Sequence, residues 1–309
     1  MTGSLRPVVT VVGSYAVGMT LRTDRIPVSG ETRHGTDFDL GPGGKGSNQA
    51  IQAARLGADV ELITSIGYDR FGDEALAMYA QEGVGTRHLL RVDRSTGVGF
   101  IIVDAHGQNV IVLDMGANHA LRPAHVEAAT GRIAASGAVL TQLEVPLDSA
   151  LAAMRLGRAA GVLTILNPAP ARAIPAQDLA GIDIVTPNHG ELRILQGLPA
   201  DAPADDLELC RRLLAAGVGT VILTRGEEGA LIVRPDGELA IPSHRVDVVD
   251  STGAGDAFSG TLATSLAAGL DLETAARRAA AAGALACTRL GVVPSLATAD
   301  AIDALVAAD

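Results

Sequence analysis

Short aliphatic runs recur along the chain, separated by stretches whose apolar residues fall three and four apart. The runs at 8–12, 60–66, 138–143, 163–167, 182–186 and 220–224 are too short for helices and are mostly apolar on both faces. That pattern predicts strands of a parallel sheet buried beneath helices. The intervening stretches 47–56, 71–82, 123–135, 147–160, 189–196, 204–216 and 257–268 have helical spacing. Alternating strand and helix patterns imply an α/β fold with a doubly wound, three-layer core, and the whole span 1–309 reads as one domain.

Two segments, about 15–42 and 96–116, break this alternation. The first is turn-rich, with Pro27-Val28-Ser29-Gly30-Glu31-Thr32; the second is a hairpin folding about Ala105-His106-Gly107. Both read as insertions forming a small β-sheet lid near the C-terminal edge of the main strands, where open α/β sheets bind ligands. The hairpin is apolar on both faces, from Phe100 to Val103 and from Val110 to Leu113. One face is therefore expected over the site and the other against a second copy, in a homodimer joined through the lid.

Composition narrows the function classes. Hydrophobic residues make up 48% of the 309 residues and aromatics only 2%, leaving few platforms for stacking single-stranded nucleic acid. The net charge of −11 argues against a duplex backbone or an anionic membrane as partner. No apolar run approaches the roughly 20 residues that span a bilayer, and residues 1–7 lack a signal-type apolar core. Cys210 and Cys287 have no metal-ligand spacing and read as free thiols. The expectation is a soluble, cytoplasmic protein.

Four motifs carry candidate chemistry. Asp250-Ser251-Thr252-Gly253-Ala254-Gly255-Asp256 runs directly into a helical stretch. Small residues at a helix start let backbone N–H groups converge on an anion. A carboxylate at that edge would repel an anion, so Asp256 is better read as a base taking a proton from an attacking hydroxyl. A plain glycine-rich cap is the competing reading. Gly41-Pro42-Gly43-Gly44-Lys45-Gly46-Ser47-Asn48-Gln49 is a second glycine cluster, but Gly46 follows the lysine where a Walker A loop needs Ser or Thr. It could equally be a tight turn opening a helix. Asn188-His189-Gly190-Glu191 reads either as an N-cap with a helpful acid, or as a site where Glu191, through water, orients Mg²⁺. Thr224-Arg225-Gly226-Glu227-Glu228-Gly229 is a hairpin that could also present backbone to a nucleotide.

Taken in this order, the four stretches resemble the ribokinase family of sugar kinases, over nearly the whole chain. Further matches are Val9-Thr10-Val11-Val12-Gly13-Ser14, Gly30-Glu31-Thr32, Gly116-Ala117-Asn118, Gln142-Leu143-Glu144, Asn167-Pro168-Ala169-Pro170-Ala171-Arg172 and Thr288-Arg289-Leu290-Gly291. The resemblance implies ATP as phosphoryl donor and Asp256 as base, with the backbone of Gly253, Ala254 and Gly255 as anion hole. It implies sugar contacts from Gly44, Lys45, Asn48 and Glu144. Asn188 and the stretch Thr224, Arg225, Gly226, Glu227, Glu228 and Gly229 would hold ATP, with Glu191 acting on Mg²⁺ and phosphate. A K⁺-binding loop would map to Asp250, Thr252, Ala286, Arg289, Gly291 and Ser295, and would fix the anion-hole backbone.

One departure bears on the acceptor. The family's sugar-gripping Asn and Asp fall on Ala16 and Gly18, and each lost hydrogen bond to a buried diol costs about 1–3 kcal/mol. The expected activity is phosphorylation of a primary hydroxyl on ribose or a ribose-like sugar. The alternative is a kinase of the same fold for another pentose, a modified sugar or a nucleoside, with Asp24, His34 or Asp114 as replacement contacts. A non-catalytic sugar or nucleotide sensor is a third reading, opposed by the retained Asp256.

Overall fold

Val8–Val12 lies inside the main sheet and pairs in parallel with Ala138–Thr141 on one side and Asp59–Ile63 on the other. It is one of nine strands of this sheet in the computed structural model, which describes residues 6–308. Val84–Gly85 closes one edge. Toward the other edge come Leu163–Leu166, Ile184–Val185 and Thr220–Thr224, all parallel, then Ala230–Arg234 and Gly237–Ile241, both antiparallel. The change of direction has a local cause: residues 225–229 are too few for a parallel crossover, which needs about a dozen. Residues 1–5 and 309 of the expected single domain lie outside the described chain.

The double-sided apolar strands bury both faces. Val9, Val11, Val60, Leu62 and Leu140 enter one core, while Val12, Ile63, Val139 and Leu166 enter the other. The first core is covered by Lys45–Arg55, Arg70–Glu82, Ala254–Ala267 and Leu272–Ala286. The second lies beneath Leu147–Ala159, His189–Leu195 and Asp206–Ala215. Because the chain leaves Val8–Val12 toward one edge and later returns on its other side, strand order reverses beside this strand. A crevice opens at the strand C-termini at such a reversal. Gly13 and Ser14 flank it from one strand and Gln142 to Glu144 from the next.

Helix Ala254–Ala267 approaches helix Lys45–Arg55 unusually closely through Gly260, where an added Cβ would lie 2.7 Å from the Gln49 carbonyl oxygen. That approach sets the first turns of the two helices beside each other.

Three elements differ from the sequence expectation. The strand expected at 60–66 divides into Asp59–Ile63 and Ser65–Gly67, the latter pairing with Leu90–Val92 in a separate two-stranded sheet. The division falls where Ile63 turns its carbonyl to Gly13 N (3.1 Å) and Thr64 turns its own to Leu90 N (2.9 Å). The helix expected at 123–135 is two short ones, Pro123–Glu127 and Thr130–Ala134. At the break Thr130 Oγ1 donates to the Glu127 carbonyl (2.6 Å), a local bond that competes with helix continuation. The helix expected at 257–268 starts earlier, at Ala254, so part of the glycine motif is itself helical.

The inserted segments form a separate four-stranded sheet in the order Thr36–Gly43, Ala16–Arg22, Gly97–Val103, Asn109–Asp114. Ala16–Arg22 leaves the main sheet just after Val8–Val12, and Thr36–Gly43 runs into helix Lys45–Arg55. The register separates the residues of the two faces. Leu40, Met19, Phe100 and Val112 form one row across all four strands, with Phe100 53% and Val112 64% exposed. On the other face two rows are glycine-rich, Gly43, Ala16 and Gly97, then Gly41, Gly18 and Gly99 ending in Leu113, and the row beyond them is Asp39, Thr20, Ile101 and Ile111.

Candidate active site

Helix Ala254–Ala267 begins after Gly253, whose φ of 87° needs glycine, and no side chain caps it. The Ala254 N–H donates to the Ser251 carbonyl (3.2 Å). The N–H groups of Gly253, Gly255 and Asp256 make no hydrogen bond among the described residues. Sequence reasoning named the amides of Gly253, Ala254 and Gly255; the local turn removes Ala254 from the free donors and adds Asp256. With the positive end of the helix dipole, these groups suit an anion.

Asp256 itself is buried, at 5% exposure. Its Oδ2 accepts from Asn48 Nδ2 (2.8 Å) and its Oδ1 from Gln49 Nε2 (2.9 Å). Both donors stand on the first turn of the opposing helix, brought near by Gly260. Lys45 lies at the start of the same helix. Burial pulls its pKa down, but the carboxylates of Asp256, Glu144 and Glu191 outweigh burial and leave it above the usual lysine value. It is therefore charged at neutral pH, a cation inside a ring of acids.

One cleft is lined by Lys45, Asn188, Glu191, Thr224, Gly253, Gly255 and Asp256. The structure thus brings together residues from all four sequence motifs. Asn188 and Thr224 meet through a parallel β-bridge. Arg225, Gly226, Glu227, Glu228 and Gly229 lie beyond this cleft, in a one-turn 3-10 segment of the hairpin. There Arg225 pairs with Glu228 (3.6 Å).

Glu144 is oriented by its neighbours. Its Oε2 accepts from Ser14 Oγ (2.5 Å) and from the Lys45 N–H (2.8 Å), so it anchors the start of the Lys45–Arg55 helix just after Gly44. Asn188 and Glu191 form a reciprocal capping box, each side chain accepting the other's backbone N–H at 2.8 Å. Burial raises the pKa of Glu191; the Asn188 amide and Lys45 oppose the rise, and Asp256 adds to it.

The residues expected around a monovalent cation lie on adjacent loops. Val249 N and Asp250 N donate to the Cys287 carbonyl (2.8 and 3.2 Å), tying one loop to the end of the helix that carries Ala286. Asp250 Oδ1 accepts from Thr252 N and Oγ1 (2.9 and 2.7 Å). Ser295 follows Gly291 in the short helical turn after Arg289, and its Oγ donates to the Val292 carbonyl (2.8 Å). Among the described residues no group of three or more His, Cys, Asp or Glu side chains is arranged to hold a metal.

Two of the replacement sugar contacts are engaged elsewhere. Asp24 is paired with Arg33, which holds its carboxyl below the usual range. Asp114 accepts from Gly116 N (2.9 Å), and His34 is exposed. Sequence reasoning gave no role to Gln49, Gln142, Asn167, Thr186 or Ser14, all buried at this site. For Ser14, Gln142, Asn167 and Thr186 a signal was available: each stands just after an aliphatic strand at the edge where a doubly wound sheet binds ligands; Gln49, inside a helix, had none.

Residues 7–299 match the family model described as pfkB family carbohydrate kinase. The chain is 35% identical to a deoxyribokinase of Salmonella typhimurium over 93% of its length and 94% of the relative's. It is 36% identical to a ribokinase of Haemophilus influenzae, over 95% of this chain and 96% of the other. The structure of Arabidopsis thaliana ribokinase complexed with ribose and ATP superposes with a TM-score of 0.90 at 28% identity, covering 98% of this chain and 99% of that one.

Proposed function

The chain belongs to the pfkB family of carbohydrate kinases and is a phosphotransferase acting on a sugar; on that premise we propose that it transfers the γ-phosphate of Mg-ATP to a primary hydroxyl of ribose or a ribose-like sugar. The observation that carries this reading is Asp256. Its buried carboxylate stands beside unpartnered N–H groups at a helix start, one of them its own.

In this reading the acceptor hydroxyl binds against Asp256, which takes its proton as the oxygen attacks. The N–H groups of Gly253, Gly255 and Asp256 receive charge developing on the transferring group, as the fixed dipoles of such sites do. Lys45 and Asn48 hold acceptor oxygens; Asn48 Oδ1 is buried without a partner and is ready to accept from a sugar hydroxyl. Asn188, Thr224 and the hairpin 225–229 hold the nucleotide. Glu191 has one carboxylate oxygen beyond its capping bond, which fits a water shell around Mg²⁺. Mg²⁺ bound there would neutralise phosphate charge. The Asp250–Thr252 turn and the Arg289–Ser295 segment supply oxygens that fit K⁺, expected to stiffen the anion-site backbone.

A second reading concerns the acceptor alone. We assign the glycine-rich face of the small sheet, with Ala16 and Gly18, to the acceptor side, so the sheet acts as a lid. Ala16 and Gly18 present no group that grips a diol, which favours another pentose, a modified sugar or a nucleoside. The apolar face of the lid then joins two copies as a homodimer. The test is ADP release with a panel of sugars and nucleosides, in K⁺ and in Na⁺. Turnover with at least one acceptor, faster in K⁺, is expected. No turnover with any would overturn the kinase reading, and equal rates in both salts would remove the cation site.

A further inference from the structure

Gln49 is fully buried and cannot touch an acceptor, yet it supplies one of the two hydrogen bonds to the Asp256 carboxylate. We propose that Gln49 is a positioning residue for Asp256, and that Gln142 fixes the direction in which the Gln49 amide points. The proposal rests on the reading of Asp256 as the base.

The sense of the contacts follows from the carboxylate, which can only accept. Gln49 must therefore present Nε2 to Asp256, leaving its Oε1 on the opposite side. There Gln142 Nε2 donates to it. Asn167 adds a second constraint. Its Nδ2 donates to the Thr186 carbonyl (3.1 Å), so its Oδ1 faces Gln49 Nε2 (3.1 Å). A Gln49 amide turned over would set oxygen against both Asp256 and Asn167 oxygens, and nitrogen against the Gln142 nitrogen. Each of those contacts is repulsive, and Gln49 and Gln142 are fully buried, where water cannot relieve it.

Gln142 needs space to do this, and the chain provides it at Gly13. A Cβ there would lie 2.1 Å from Gln142 Oε1 and 3.2 Å from its Cδ. The end of the first strand, the end of the neighbouring strand and the first turn of a helix thus converge on the carboxylate. Without Gln49, the one remaining side-chain donor to the carboxylate is Asn48, with the charged Lys45 nearby. Asp256 would then be free to swing toward Lys45 and away from the hydroxyl it must deprotonate. Misplacing a reacting group by about 1 Å can cost up to about 100-fold in rate.

The test compares Gln49→Met and Gln142→Met, each alone and combined with Asp256→Asn. With the best acceptor, Gln49→Met is expected to lower kcat by about 10- to 100-fold with KM for ATP nearly unchanged, while the melting temperature falls because Gln142, Asn167 and Asp256 each lose a hydrogen bond. Gln142→Met, one step farther out, is expected to lower kcat less. In the Asp256→Asn background both losses should vanish, because both act through that side chain. Wild-type kcat in folded Gln49→Met would overturn the role of Gln49. Wild-type kcat in folded Gln142→Met would overturn the role of Gln142. A loss that persists undiminished alongside Asp256→Asn would show a general structural role and overturn the proposal. Should Gln49→Met fail to fold, the Gln142→Met pair decides it by the same criterion. Normal turnover in Asp256→Asn alone would instead overturn the reading of the base.

Discussion

Asp256 and Glu191 are two acids in one cleft with different tasks, and single substitutions separate them. Asp256→Asn keeps shape and can still hydrogen-bond, but it cannot take a proton. A general base contributes about 10²–10⁴-fold. The expected loss is of that size in kcat, with ATP affinity by calorimetry retained. Glu191 tests burial. Its folded-state pKa is raised, chiefly by burial, so the folded protein holds the proton more tightly than the unfolded chain. Below the unfolded value both states are protonated and the group is neutral to stability. As pH rises through that value and then the folded one, the folded state comes to carry a charge it disfavours, and stability is lost. Glu191→Gln removes the charge and keeps a capping-box residue. Its melting temperature is therefore expected to exceed wild type at pH 8 and match it at pH 4. Equal melting curves at pH 8 would show that burial of the charge carries no cost. Slower turnover at pH 8 in the same variant would show that the charge is kept for the reaction.

At the scale of elements, the helix start at Ala254–Ala267 lets two neighbouring glycines be told apart. A Cβ on Gly253 would lie 2.4 Å from Val292 Cγ1, at a φ of 87°. Gly253→Ala should destabilise by about 1–3 kcal/mol, measured by denaturant titration. At Gly255 a Cβ meets nothing within 4 Å. Gly255→Ala should leave stability within about 1 kcal/mol of wild type, yet raise KM for ATP or lower kcat by placing a methyl in the cleft. If both variants behave alike, the cleft beside Gly255 is not where phosphate binds. These elements also mark where sequence was informative. Aliphatic runs such as Val8–Val12 located the strands because burial on both faces leaves no polar alternation. The glycine motifs mark the helix starts only to within two or three residues, since they are themselves partly helical, at Lys45 and Ala254. Periodicity runs 60–66 and 123–135 together as single elements because their interruptions depend on hydrogen bonds to Gly13, Leu90 and Glu127. Those are tertiary and local choices with no periodic signature. The engagement of the Ala254 amide and the role of Gln49 escaped for a related reason: each depends on which partner a polar group finds.

For the whole molecule, the small sheet poses the larger question. Its apolar row of Leu40, Met19, Phe100 and Val112 faces away from the glycine rows, and such a surface is costly to leave in water. Phe100→Lys combined with Val112→Lys is expected to convert a dimer into a folded monomer by sedimentation velocity, and to weaken acceptor binding. A monomeric wild type would remove the dimer. The glycine-rich face has a different consequence, which concerns how such a protein changes over generations. A Cβ added at Gly18 or Gly41 meets no atom closer than 3.7 Å, and neither residue has a positive φ. One base change at either codon could therefore lend the wall a hydroxyl, a carboxylate or a methyl while the scaffold stays whole. Specialised pockets usually acquire new tastes by first giving up contacts. On the proposed assignment of this face to the acceptor, Gly18 and Gly41 have no side-chain contact to give up, and a library at both is expected to yield folded variants with divergent acceptor profiles.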